Sequence, residues 1–78
     1  MPHGQQFDQA TALAKVGRKI RTRVEFSGVL TGTTGHVLRA DPSPAGYTVG
    51  IQWDLPGRTK PLVDWFTKDE YDQYLEEL

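Results

Sequence analysis

The stretch 18–37 limits most tightly how this chain folds. Over 19–26, apolar or small side chains alternate with charged side chains. A period of two is typical of a β-strand that buries one face. Gly28, Gly32 and Gly35 follow, and glycine permits either a positive φ or a close approach of two backbones. We therefore predict a strand, a compact turn built on these three glycines, and a second strand.

Chain length and composition allow one small domain. The chain has 78 residues and is 37% hydrophobic, which is ordinary for a folded domain. It has no cysteine, which argues against disulfides, thiolate metal sites and export. No apolar run approaches the ~18 residues of a membrane span, and the amino terminus lacks a signal-peptide core. We expect a cytoplasmic protein without cofactors or membrane contact.

Charge is distributed unevenly along the chain. Residues 1–40 contain six lysines and arginines against two acidic residues, whereas residues 41–78 contain three against eight. Such a division is compatible with a nucleic-acid face in the basic half. It is equally compatible with pairing between the two halves, which requires no external partner.

Further strands and turns are indicated downstream. We predict strands at 35–40, at 47–54 from its clear alternation, and at 60–66. The prolines of 41–46 favour a loop, because proline cannot donate to a strand ladder. In 55–57, Pro and Gly stand in the order required at the centre of a type II turn.

Two helices flank these strands. Residues 1–16 are predicted to be a tail and a short helix, which Gly17 would cap and whose apolar face would be Phe7, Ala10, Leu13 and Ala14. Residues 17–78 would contain the predicted strands and end in a helix at 68–78. The second helix is signalled by a capping box, Thr67-x-x-Glu70, and by a hydrophobic staple of Phe66 and Tyr71. Its apolar face would comprise Tyr71, Tyr74, Leu75 and Leu78.

A glycine motif connects these features. It reads Val16-Gly17, the alternating strand, and then Gly28-x-x-x-Gly32-x-x-Gly35-x-Val37. This motif resembles the opening of KOW-type and related SH3-like small barrels, over about 16–53. The resemblance implies a mainly β fold, a partly open SH3-like barrel of about four strands with the two helices described. Relatives of this kind include KOW modules that bind ribosomal RNA or transcription complexes. They also include small accessory proteins of the type found in photosystem I, and the variable chain of ferredoxin–thioredoxin reductase.

The chain departs from that pattern in two respects. RNA-binding KOW modules commonly carry Lys and Arg in the glycine-rich loop, and a neutral loop lacks the phosphate attraction that dominates nucleic-acid affinity. Here the loop is occupied by Val29, Leu30, Thr31, Thr33 and Thr34. Secondly, a helix begins where such barrels usually place a fifth strand. The sheet is therefore expected to keep an open edge, suited to strand addition by a partner or to homo-oligomers.

Catalytic or metal chemistry is not indicated by any combination of residues. His3 and His36 are isolated, and no cysteine accompanies them. Asp54 borders a turn and Asp64 lies in a strand, so two solvated carboxylates are a simpler interpretation than a catalytic pair. The glycine loop lacks the Gly-Lys-Ser/Thr ending of a phosphate-binding loop. We do not expect an enzyme.

Aromatic residues supply the main binding hypothesis. Phe26, Val37, Val49 and Ile51 are the predicted core. Trp53 and Trp65 are predicted to be half exposed beside Asp54 and Asp64, and these four are the candidate partner-binding residues. We expect a protein-binding accessory or regulatory module that joins a protein partner or a larger complex.

The alternative is an RNA- or DNA-binding module. It would use the basic row of the first strand, Arg18, Lys19, Arg21 and Arg23, with Arg58 and Lys60 as additional cations. A purely structural component of a complex, a small-molecule binder and an unsuspected enzyme remain further alternatives. High salt would weaken nucleic-acid binding steeply but an apolar protein interface little.

Replacing the predicted helix cap tests the helix boundary. Thr67→Ala should lower the free energy of unfolding by about 1 kcal/mol, because the hydroxyl no longer accepts a bond from the first helical turn. Urea denaturation measures the change. Unchanged stability would show that the helix begins at another residue.

Overall fold

The computed structural model describes residues 6–26, 28–57 and 59–78, which form two short helices and five strands. In chain order these are α1 (Gln9–Lys15), β1 (Lys19–Thr22), β2 (Thr34–Ser43), β3 (Gly46–Trp53), β4 (Val63–Phe66), α2 (Lys68–Tyr74) and β5 (Leu75–Glu77). The strands make one antiparallel sheet in the order β4-β3-β2-β1-β5. Because β4 and β5 do not pair, the sheet stays open, and the prediction of a mainly β, partly open fold is confirmed.

One face of the sheet encloses the hydrophobic core. Its buried members are Phe7, Ala12, Ile20, Val29, Val37, Val49, Ile51, Trp53, Phe66, Tyr71 and Leu75. Three of the four predicted core residues are therefore fully buried. The fourth, Phe26, is only partly buried, and its ring packs 5.5 Å from that of Phe66 between centroids.

The first helix has the predicted ends but buries a different face. Its C-terminus is followed by Gly17 with φ +90°, as expected for a helix cap. Ala12 is fully buried, whereas Leu13 is 53% exposed, so the predicted apolar face is wrong. Phe7 precedes the helix and forms a β-bridge with Tyr47. This bridge fixes the start of α1 against β3. A helix of only two turns with a weak amphipathic pattern does not determine by itself which face it buries.

The first strand is shorter than its alternating pattern predicts. β1 ends at Thr22, whose hydroxyl accepts a hydrogen bond from the Val24 N–H at 3.1 Å and donates one to the Val24 carbonyl at 2.6 Å. Such local side-chain bonds compete with the strand ladder and turn the chain. Gly28 and Gly32 then adopt positive φ angles of +80° and +91°, as the predicted turn requires.

The second and third strands form a tight hairpin where the prolines predict a loop. β2 continues through Pro42 to Ser43, which pairs with Gly46 across a two-residue turn. Pro42 lies opposite Tyr47, whose N–H and carbonyl bond instead to Phe7 at 2.9 and 3.0 Å. The position is thus not hydrogen-bonded between β2 and β3, and a residue without an N–H is tolerated there.

The carboxyl-terminal segment differs most from the sequence prediction. α2 begins at Lys68 with the complete predicted capping box, but it ends at Tyr74 rather than Leu78. Leu75–Glu77 pairs with β1 as the fifth strand. The Arg23 N–H donates to the Tyr74 carbonyl at 2.7 Å, and the Leu78 N–H donates to the Lys19 carbonyl at 3.0 Å. Pairing satisfies an edge of β1 that a continued helix would leave without partners.

A close approach of two backbones explains Gly35. This residue lies in β2 without a positive φ, and a Cβ atom there would be 2.6 Å from the Gln52 carbonyl oxygen and 3.2 Å from the Trp53 Cα. Gly57, in contrast, has φ +81°, as the predicted type II turn requires.

Substitution of Gly35 should therefore destabilise the fold for steric reasons. Gly35→Val should lower the free energy of unfolding by about 1–3 kcal/mol because β2 and β3 must move apart. His36→Val adds the same side chain on the solvent side and should change it by less than about 0.5 kcal/mol. Urea denaturation compares the two, and equal stabilities would contradict the close approach.

Candidate functional site

Trp65 is the most exposed aromatic side chain in the sheet. It lies on the outer face of β4, opposite Gly50 of β3, and is 46% exposed. Its ring occupies the space above Gly50, where a Cβ atom would be 3.0 Å from the indole. On the neighbouring strand, the Arg39 guanidinium carbon lies 6.0 Å from the ring centroid and the side chain pairs with Asp41 at 3.0 Å. The backbone of Gly50 thus supports an indole of which nearly half stays exposed to solvent.

Other side chains extend this outer face across the sheet. The pairing registers align Lys19, His36, Gln52 and Val63 in one row across β1 to β4. Leu38 is 40% exposed because a bulge between Val37 and Arg39 leaves it without a partner. We call Leu38, Arg39, Gly50, Val63 and Trp65 the Trp65 surface.

The free edge of β4 runs alongside this surface. The Trp53 N–H donates to the Leu62 carbonyl at 3.0 Å, so Leu62 directs its polar backbone groups toward β3. In an antiparallel ladder the direction alternates, and the N–H and carbonyl groups of Val63 and Trp65 therefore point away from β3. None of these four groups has a hydrogen-bond partner within 6–26, 28–57 and 59–78. We call these two donors and two acceptors the β4 ledge.

Trp53 belongs to the core, and its predicted half exposure is wrong. It is 3% exposed, and its indole N–H donates to Asp64 Oδ2 at 2.8 Å. Asp54 accepts a hydrogen bond from the Thr34 hydroxyl at 3.1 Å. The structure therefore separates the four predicted partner-binding residues: Trp65 is exposed as predicted, whereas Trp53 is buried.

An open pocket of about 310 Å³ adjoins the start of β4. It is lined by Gln52, Trp53, Asp54, Leu55, Thr59, Lys60, Pro61 and Leu62. The recess thus lies between the end of β3 and the segment that leads into β4.

Two of the four cations in the basic row, Arg18 and Arg21, pair with the carboxyl-terminal strand. The Arg21 Nε donates to Glu76 Oε1 at 2.6 Å, and Arg18 lies 3.8 Å from a Glu77 carboxylate oxygen. Lys19 and Arg23 form no ion pair with any described residue. Of the two interpretations of the uneven charge, pairing between the two halves is the one that the structure contains.

Glu77 connects three elements through one carboxylate. Its Oε2 atom accepts hydrogen bonds from Lys15 Nζ of α1 at 2.6 Å and from the Tyr71 hydroxyl of α2 at 2.8 Å. Both bonds lower the pKa of the Glu77 carboxyl, and the bond from Lys15 has the larger effect. Burial, together with the bond to Glu77, raises the pKa of the Tyr71 hydroxyl. No motif in the sequence signals this cluster, apart from the opposite charges of its two halves.

Neither a metal-ligand cluster nor a membrane-spanning helix occurs in the described part of the chain. No group of three His, Cys, Asp or Glu side chains is placed to hold a metal ion there, and His36 stands alone on the outer face. No helix among the described residues is long and apolar enough to cross a membrane. His3 and Arg58, two residues considered from the sequence, lie outside the described residues.

Comparison with known proteins gives no assignment. No protein-family model, curated protein or solved structure matches this chain.

The Glu77 cluster should make the free energy of unfolding depend on pH in the acid range. A folded-state pKa below the ordinary 4.5 means that the stabilisation is complete above that pH and is lost as the pH falls through the lowered value. Glu77→Gln should be less stable than wild type at pH 7, by about 1 kcal/mol, and this difference should shrink as the pH falls. Glu25→Gln, at an exposed site, should cost less than about 0.5 kcal/mol. Denaturation at several pH values measures both, and a pH-independent difference would contradict the role of the charge.

Proposed function

We propose that this chain is a small, non-enzymatic, SH3-like protein-binding module of the accessory or regulatory kind. The partner binds on the Trp65 surface. The observation that carries this proposal is the exposed indole of Trp65, held above Gly50 on the outer face of the sheet.

Several properties of the Trp65 surface support protein binding. Tryptophan and arginine are the residues most enriched at the energetic centres of interfaces, and here Arg39 stands beside the Trp65 ring. Leu38 and Val63 add apolar area around the indole. An indole supported by backbone on one side loses little conformational entropy when a partner covers the other side.

The strand order supports the SH3-like part of the proposal. The strands of the KOW-type and related barrels meander, and a fifth strand usually closes them. In this chain β1 to β4 follow one another as neighbours, and β5 returns beside β1 after α2.

Nucleic-acid binding on the basic row has less support. Glu76 and Glu77 neutralise Arg21 and offset Arg18, so phosphates would have to displace carboxylates of the same chain. Lys19 and Arg23 alone provide few phosphate contacts.

The proposal predicts that truncating Trp65 abolishes partner capture. In affinity pull-downs from native lysate, wild-type protein should retain a protein partner at high salt and after nuclease treatment. Trp65→Ala should reduce that capture about 30-fold, the effect of losing about 2 kcal/mol at an interface centre. Leu30→Ala is the matched control, since Leu30 is 68% exposed but lies outside the sheet.

Two results would contradict the proposal. Equal capture by wild type and Trp65→Ala, with both proteins folded by thermal melting, would exclude the Trp65 surface. Recovery of nucleic acid at low salt only would transfer the function to the basic row.

A further inference from the structure

We infer that the partner binds as an extended segment that adds a strand along β4, with a lysine or arginine placed opposite Asp64. This inference rests on the proposed function and specifies the partner and the binding mode. It names one occupant for the β4 edge, a basic and apolar segment of another protein.

The β4 ledge supplies the backbone part of such a site. The N–H and carbonyl groups of Val63 and Trp65 point away from β3 and have no partner among the described residues. Unpaired strand edges are templates for an added strand, and main-chain hydrogen bonds then supply much of the affinity. An incoming segment gains up to four such bonds.

Both ends of the ledge are defined by the sequence. At one end Pro61 has no N–H to donate. At the other end the Thr67 N–H donates to Glu70 Oε1 at 2.9 Å, and the Thr67 carbonyl accepts from the Tyr71 N–H at 2.9 Å. The capping of α2 thus uses the next pair of groups, and the site fits a short segment.

The opposite edge of the sheet, β5, has fewer free backbone groups for an added strand. In β5 the Leu75 N–H already donates to the Tyr71 carbonyl. Glu76 and Leu78 face β1, so Glu77 is the one residue of β5 whose two outward-facing backbone groups both lack a partner among the described residues. We therefore place strand addition at β4.

Asp64 argues against a second copy of this chain as the occupant. An antiparallel two-fold pairing that satisfies all four groups of the ledge sets Val63 opposite Trp65 of the copy. Asp64 then lies opposite Asp64 of the copy at a position where side chains approach closely, and like charges there are destabilising. The same charge favours a cationic residue in a partner strand.

The alternation of β4 defines the segment. Asp64 points to the inner side of the sheet, where one of its oxygens holds the Trp53 indole, and the other has no partner among the described residues. Val63 and Trp65 point to the outer side. Residues opposite these two would lie on the Trp65 surface and should be apolar. The preferred segment therefore reads apolar–basic–apolar.

Hydrogen exchange with short peptides tests this inference. The probes are synthetic peptides with a Val-Lys-Val centre, a matched Val-Glu-Val centre, and a Val-Lys-Val version whose valine amides are N-methylated. With the first peptide at about ten times its Kd, exchange of the Val63 and Trp65 amides should slow about tenfold. The outward-facing Glu77 amide is the internal control and should not change.

Charge and backbone dependence complete the test. The Glu peptide should bind about fivefold more weakly than the Lys peptide. Asp64→Asn keeps an acceptor for the Trp53 indole but removes the charge, so it should abolish this preference. The N-methylated peptide should give no protection, because it cannot complete the ladder.

Other outcomes overturn the inference. Binding that shifts the Trp65 indole signal without protecting the β4 amides would exclude strand addition and leave the proposed function intact. Protection that appears without peptide and disappears on dilution would identify a second copy as the occupant. Absence of protection by any peptide would also overturn it. The proposed function itself fails only in the separate pull-down experiment, by equal capture with Trp65→Ala or by recovery of nucleic acid at low salt only.

Discussion

The pairing of β5 with β1 is the interaction on which the rest of the structure depends. Backbone groups of β1 need partners on both sides, and the last residues of the chain provide them on one side. This pairing brings Glu76 and Glu77 onto the basic row and gives Lys15 of α1 and Tyr71 of α2 a common acceptor. It also leaves β4 as the edge where two residues, Val63 and Trp65, have outward-facing backbone groups without a partner among the described residues.

The proposed function rests on the surfaces that this arrangement leaves uncovered. Arg18 and Arg21 of the basic row are ion-paired within the chain, whereas the Trp65 indole is half exposed and the β4 ledge has no partner among the described residues. An aromatic surface beside unpaired backbone groups suits a polypeptide better than a phosphate backbone. In the proposed complex Asp64 adds selectivity, because one inward-pointing charge on a short edge disfavours pairing with a second copy and favours a basic segment.

Half of the candidate site can be recognised from the sequence. Trp65 is predicted to be half exposed because Asp64 precedes it, and it is 46% exposed. The burial of Trp53 could not be predicted from the sequence. Its acidic neighbour Asp54 suggests an exposed position, whereas the indole is buried and donates to Asp64 of the next strand. The β4 ledge cannot be derived at all, since backbone direction at an edge depends on the pairing register.

Local chemistry by itself determined the elements that do not need distant partners. The alternation of β3, the capping box of Thr67 and Glu70, and the turn at Gly57 were all predictable, because each depends on residues within a few positions. The tertiary structure alone decided that Leu75–Glu77 is a strand, that β2 continues through Pro42, and which face of α1 is buried. In each case hydrogen bonds or packing to a segment distant in sequence outweigh the local preference, and no local pattern records them.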